Sequence, residues 1–239
     1  MVFTPKDEIQ DNVRQVLDTI GQAVHRAGRS FESVKLLAVS KTVPADRIRW
    51  ALEAGVSRLG ENRVQEGQSK KTELAAYRFE FHLIGPLQKN KVNKAVATFD
   101  WIETVDSLDL ALKIDRACAS IDKIMPVLLE VNLGMEPTKS GILEGQIVEV
   151  VERCASLQHL SLRGLMAIPP FEEVPERSRH YFRRLRQLAE MIKSRAIANV
   201  EIEELSMGMS HDYPIAIEEG ATIVRLGTAI FGERQPLNP

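Results

Sequence analysis

The chain has 239 residues, enough for one large α/β unit or two small ones, and 44% hydrophobic residues can fill a substantial core. Its 31 basic and 33 acidic side chains are intermingled, so the net charge of −2 leaves no electrostatic footprint for DNA or RNA. Cys118 and Cys154 sit in helical patterns without metal-ligand spacing, and no apolar run approaches the roughly 20 residues that span a bilayer. A disulfide scaffold, a metal centre and a membrane span are thereby excluded, and with no signal segment at the N-terminus a cytoplasmic setting is expected.

In chain order, Asp7 to Ala27 carries apolar residues at helical spacing (Ile9, Val13, Val16, Leu17, Ile20, Ala23, Val24) and stops at Gly28, which predicts a helix on the exterior of the fold. Strand-like and helix-like segments then alternate. Val34 to Val39 is a strand, and Pro44 to Ala54 a helix with proline in its first turn. Arg58 to Glu61, Phe79 to Ile84, Trp101 to Val105, Met125 to Val131 and Ser161 to Ala167 are the next five strands. They are separated by helices over Val64 to Ala76, Lys89 to Ala97, Leu108 to Ser120 and Leu143 to Ser156. A long helix from Glu176 to Arg195, a strand from Glu201 to Leu205, a short helix from Tyr213 to Glu219 and a strand from Thr222 to Leu226 complete the series.

Eight strands alternating with helices, several of them continuously apolar, predict a closed (β/α)8 TIM barrel over 34–232, preceded by the helix at 7–28, in a single domain spanning 1–239. A doubly wound open sheet is the competing architecture. Against it, no strand runs into a Gly-x-Gly-x-x-Gly turn, and the anion-type loops follow the last two strands, where barrels place phosphate sites.

Barrel chemistry sits at the C-terminal strand ends, and here those ends are polar. The first strand delivers Lys41, whose amine at the mouth can form a Schiff base with an aldehyde; a solvated rim lysine is the bland alternative. The seventh opens into Ser206-Met-Gly-Met-Ser210 and the eighth ends on Gly227-Thr228, both suited to backbone contact with an anion. An aldehyde that carries phosphate points to pyridoxal 5'-phosphate. Arg225, a cation inside an apolar strand, then reads as the partner of the pyridine nitrogen, which would disfavour the pyridinium and leave a weak electron sink; an ion pair with a carboxylate such as Glu103 is the alternative. His82 and Met166 could line the ring pocket or simply fill the core, and Asn62 could donate to the cofactor or cap the helix after it. Glu136 and Lys139 follow Asn132 beyond the fifth strand.

Six segments in this order resemble the pyridoxal phosphate homeostasis protein family, single-domain relatives of the alanine racemase N-terminal barrel. They are Leu37-Ala-Val-Ser-Lys-Thr42, Gly60-Glu-Asn-Arg-Val-Gln-Glu66, His82-Leu-Ile-Gly-Pro-Leu-Gln-Lys-Asn-Lys91, Val131-Asn-Leu-Gly-Met-Glu-Pro-Thr-Lys-Ser-Gly141, Gly164-Leu-Met-Ala-Ile-Pro169 and the stretch from Leu205 to Gly232. The resemblance implies a fold-type III barrel with pyridoxal phosphate on Lys41. It also implies a phosphate cup from Ser206, Ser210, Gly227 and Thr228, a pyridine partner in Arg225, and Asn62, His82 and Met166 around the pocket.

The family is understood to buffer and deliver the cofactor to pyridoxal phosphate-dependent apo-enzymes. Racemisation needs a second base, in the related racemases a tyrosine from an added C-terminal domain of a partner subunit; here seven residues follow Gly232. The expectation is therefore a monomeric carrier without catalytic residues, releasing its cofactor by exchange. The alternatives are a racemase-like enzyme using Lys41 as its base and an interaction protein with a vestigial cofactor.

Overall fold

The structure, a computed structural model, describes residues 4–134 and 140–233. It opens with α1 (Pro5–Arg26), started by a reciprocal cap in which the Asp7 amide donates to Thr4 Oγ1 and the Thr4 amide to Asp7 Oδ2, with Pro5 in the first turn. Its apolar face, from Ile9 through Val24, is buried. Eight strands follow: β1 (Lys35–Val39), β2 (Arg58–Glu61), β3 (Glu80–Leu83), β4 (Trp101–Val105), β5 (Met125–Glu130), β6 (Leu160–Met166), β7 (Glu204–Met209) and β8 (Ile223–Leu226). Every neighbouring pair is parallel, and β8 closes on β1 with Arg225 opposite Leu37, so the barrel supersedes the open-sheet alternative.

Between the strands run α2 (Ala45–Glu53), α3 (Val64–Glu73), α4 (Val92–Thr98), α5 (Leu108–Ala119), α6 (Ile147–Cys154), α7 (Arg179–Ser194) and α8 (Tyr213–Glu218), and α9 (Thr228–Phe231) follows β8. As expected for the N-terminal helix, α1 lies outside the barrel, packed on α2, α8 and α9. Alternation along the strands makes two cores. One lies between sheet and helices; the other, inside the barrel, contains Leu37, Val39, Ile84, Leu128, Met166 and Ile223 with Trp101 beside them. That inner apolar set is sparse because His82, Glu103, Ser206 and Arg225 are also buried.

Three expected helices begin as 3-10 turns, at Lys89–Lys91, Glu144–Gln146 and Pro175–Ser178, before their α segments. The larger difference is β7, expected at Glu201 to Leu205 and found at Glu204–Met209. Small residues suggested a loop after Leu205, but Ser206 pairs with both Met166 and Ile223, and pairing resumes at Met209 opposite Arg225 after a register shift. Gly208 makes that shift possible. Its φ is +89°, and a Cβ there would lie 2.5 Å from the Cβ of Ala216, so only glycine lets α8 close on the strand.

Candidate cofactor site

Arg225 is buried in β8 and held at two points: Nη1 donates to Ser206 Oγ at 2.7 Å and Nη2 to the Ala167 carbonyl at 2.9 Å. Ser206 Oγ in turn donates to Glu103 Oε2 at 2.5 Å, and Glu103 Oε1 meets His82 Nδ1 at 2.6 Å. The other nitrogen of His82 lies 3.0 Å from Glu80 Oε1, and the imidazole stacks on Trp101. Burial alone would push the Glu103 carboxyl up, but His82, Arg225 and the Ser206 hydroxyl together hold it below the usual range. Burial likewise opposes a charge on His82, and the two flanking carboxylates outweigh it and raise its pKa. Arg225 is lowered by burial against the pull of Glu103, Glu130 and Asp212, and stays a cation.

His82 stands opposite Gly60 and Trp101, one inward-facing position below Ile84. The Ser206 hydroxyl is fully buried, accepting from Arg225 and donating to Glu103.

Lys41 follows β1 in a turn and is half-buried. Val39 belongs to the inner cluster, the Ser40 hydroxyl donates to Glu61 outside it, and Lys41 follows at the C-terminal end of β1. Thr42 has φ +62°, an uncommon conformation for a β-branched residue, and its amide donates to Glu66 Oε1 at 2.6 Å. Lys70 of α3 secures the same turn from outside: its ammonium donates to the Ser40 carbonyl, to Glu61 at 2.5 Å and to Glu66 at 2.8 Å. Desolvation raises the Glu61 carboxyl despite Lys70, whereas Glu66, also opposed by burial, is held low by Lys70 and the Thr42 amide.

Ser210, Gly227 and Thr228 do come together. The Met209 amide bonds Asp212 Oδ1 at 2.7 Å to shape the turn after β7, and Ser210 Oγ accepts from the Ala229 amide at 3.2 Å at the start of α9. The Ile230 and Phe231 amides of this short helix both donate to the Gly227 carbonyl, at 3.0 and 2.9 Å. The far end of α9 is fixed by Asn12 and Arg47, which donate to the Ile230 and Phe231 carbonyls.

Met166 is fully buried in the inner cluster, directly before Ala167. Asn62 is half-buried, and its backbone is so close to Gly85 that a Cβ there would lie 2.4 Å from the Asn62 carbonyl oxygen. It does not cap α3, whose N-cap position is Arg63. Glu136 and Lys139 lie outside the described residues.

Sequence reasoning missed Glu130. It ends β5 opposite Met166, two residues after the inward Leu128, so it faces the barrel interior near the mouth with 9% exposure. Desolvation, reinforced by Asp106 and opposed by Arg225, pushes its carboxyl up to about 7. The available signal was an acid closing a strand whose other residues are all apolar.

The family model of the alanine racemase N-terminal domain matches residues 7–235. The chain is 43% identical over 225 residues to the pyridoxal phosphate homeostasis protein of Aquifex aeolicus, covering 94% of this chain and 98% of that one. Among solved structures, a protein of unknown function from Bifidobacterium adolescentis superposes with a TM-score of 0.89 at 39% identity, covering 95% and 96% of the two chains. PipY of Synechococcus elongatus, solved with pyridoxal phosphate bound, gives 0.80 at 37% identity, covering 90% of this chain and all of PipY. The chain therefore belongs to the alanine racemase N-terminal domain family and, within it, to the pyridoxal phosphate homeostasis proteins.

Proposed function

We propose that the protein binds pyridoxal 5'-phosphate at the C-terminal mouth of the barrel, holds it reversibly and releases it to other proteins of the cell, taking part in homeostasis of the cofactor. The observation that carries this reading is Arg225. It is a buried guanidinium on the strand paired with that of Lys41, and two of its five donors are hydrogen-bonded among the described residues. The remaining donors suit a neutral ring nitrogen, which can only accept. Ser210, Gly227 and Thr228 offer a hydroxyl and helix-start amides to the phosphate, while Val39, Ile84 and Met166 offer apolar walls to the ring. When bound, the cofactor supplies an aldehyde that condenses with the Lys41 amine as a Schiff base, and exchange of that amine for another releases it. Asn62 stands on the same rim as a further polar contact.

Holding is favoured over turnover because the three tyrosines lie away from the mouth. Tyr77 bonds Glu53 on the exterior, Tyr181 packs on His180, and Tyr213 is buried in the outer core. No helix among the described residues is long and apolar enough to cross a membrane. Incubation of loaded protein with single amino-acid enantiomers in deuterated water tests this. Deuterium at the α-carbon should accumulate no faster than with free cofactor, and substantially faster exchange would establish a racemase-like activity instead.

A further inference from the structure

Beneath the candidate site the barrel interior carries a line of hydrogen-bonded groups from Arg225 through Ser206, Glu103 and His82 to Glu80. Arginine only donates, so the Ser206 hydroxyl accepts from Arg225 and turns its own proton to Glu103. His82 lies between two carboxyl groups whose pull raises its pKa against burial, and each of its ring nitrogens faces one of them. Basic and acidic side chains alternate from the mouth inward: Arg225, Glu103, His82, Glu80. The last of these is partly exposed, with Arg58 3.6 Å away. Trp101 covers the face of His82, and Lys35 stands over Trp101 while pairing with Glu204.

We propose that Glu103 and His82 are positioning residues for Arg225: through Ser206 they fix the plane of its guanidinium and so aim its remaining donors at the ligand ring. The geometry carries this because a planar guanidinium held by one bond from each Nη, to Ser206 and to the Ala167 carbonyl, has lost its rotational freedom. Glu103 supplies the countercharge without touching Arg225, leaving the mouth side of the guanidinium for a neutral acceptor. Burial pushes the Glu103 carboxyl up, and His82 contributes most to holding it low, ahead of Arg225 and the Ser206 hydroxyl. The ligand half of the proposal rests on the function proposed above; the positioning half concerns the free protein alone.

Two readouts separate them. In cofactor-free protein, nitrogen-15 NMR of the Arg225 guanidinium should report hindered rotation about its C–N bonds, accelerated roughly tenfold in Ser206→Ala and in Glu103→Gln, as expected for loss of one hydrogen bond to a charged group. In protein loaded with pyridoxal phosphate, both variants should release the cofactor roughly tenfold faster than the parent, and the same changes made on an Arg225→Gln background should add less than about twofold. Rotation as restrained in the variants as in the parent would overturn the proposal. So would equal acceleration of release with and without Arg225, since that marks a structural pair that merely ties four strands together. Ser206→Ala removes one hydroxyl and carries both readouts should Glu103→Gln fail to fold. If rotation responds but Arg225→Gln releases cofactor like the parent, positioning stands and the proposed site falls.

Discussion

Replacing Glu130 by glutamine should stabilise the cofactor-free protein, and by an amount that depends on pH. The carboxyl is 9% exposed and its pKa is raised from 4.5 to about 7, mainly by desolvation. A raised carboxyl binds protons more tightly folded than unfolded, so its ionisation opposes folding progressively between pH 4.5 and 7 and fully above. The shift of about 2.5 units at about 1.36 kcal/mol each corresponds to about 3 kcal/mol lost at pH 8, and under 1 kcal/mol at pH 5. Glutamine keeps the shape and cannot ionise. Urea unfolding should therefore give Glu130→Gln an advantage of about 3 kcal/mol at pH 8, on the order of 10 °C in melting temperature, most of which vanishes at pH 5. An advantage that is absent at pH 8, or equal at both pH values, would refute the view that burial in the barrel mouth raises this carboxyl.

Lys70→Met strands the buried Glu61 carboxyl and should cost about 3–5 kcal/mol by chemical denaturation, with Glu61→Gln added to it restoring part; a loss below about 1 kcal/mol would contradict the clamp on the Lys41 turn. The raised pKa of His82 means its ion pair stabilises fully below its ordinary 6.5 and is lost as pH climbs through the raised value, so His82→Gln should flatten the alkaline limb of the stability profile measured in urea. Burial pushes Cys118 and Cys154 up to about 11, and a thiol reagent at neutral pH should leave both unlabelled until the protein is unfolded.

The barrel was legible because its signals are local. β2 and β4 have the bounds read from the sequence, and helices such as α5 announce themselves by spacing and by a serine at the N-cap. The end of β7 was not legible, because small residues that suit a loop are used here to bring α8 against the strand, a tertiary demand made visible only by Ala216 and Tyr213. In the candidate site, Lys41 and the pair Ser210 and Thr228 could be expected from their positions at strand ends. The depth of His82 could not, since a single inward-facing position, two residues along the chain, separates it from Ile84. Lys70 escaped notice because it looks like any lysine on a polar helix until Glu61 and the Ser40 carbonyl are placed beside it.

We propose covalent retention of pyridoxal phosphate at the mouth of this barrel by the lysine that follows β1. Loading the protein with the cofactor, reducing it with borohydride and locating the reduced adduct by peptide mass tests this directly. The adduct should fall on Lys41 and be absent from Lys41→Ala. An adduct on Lys139, or cofactor that remains bound yet is not trapped by reduction, would contradict it.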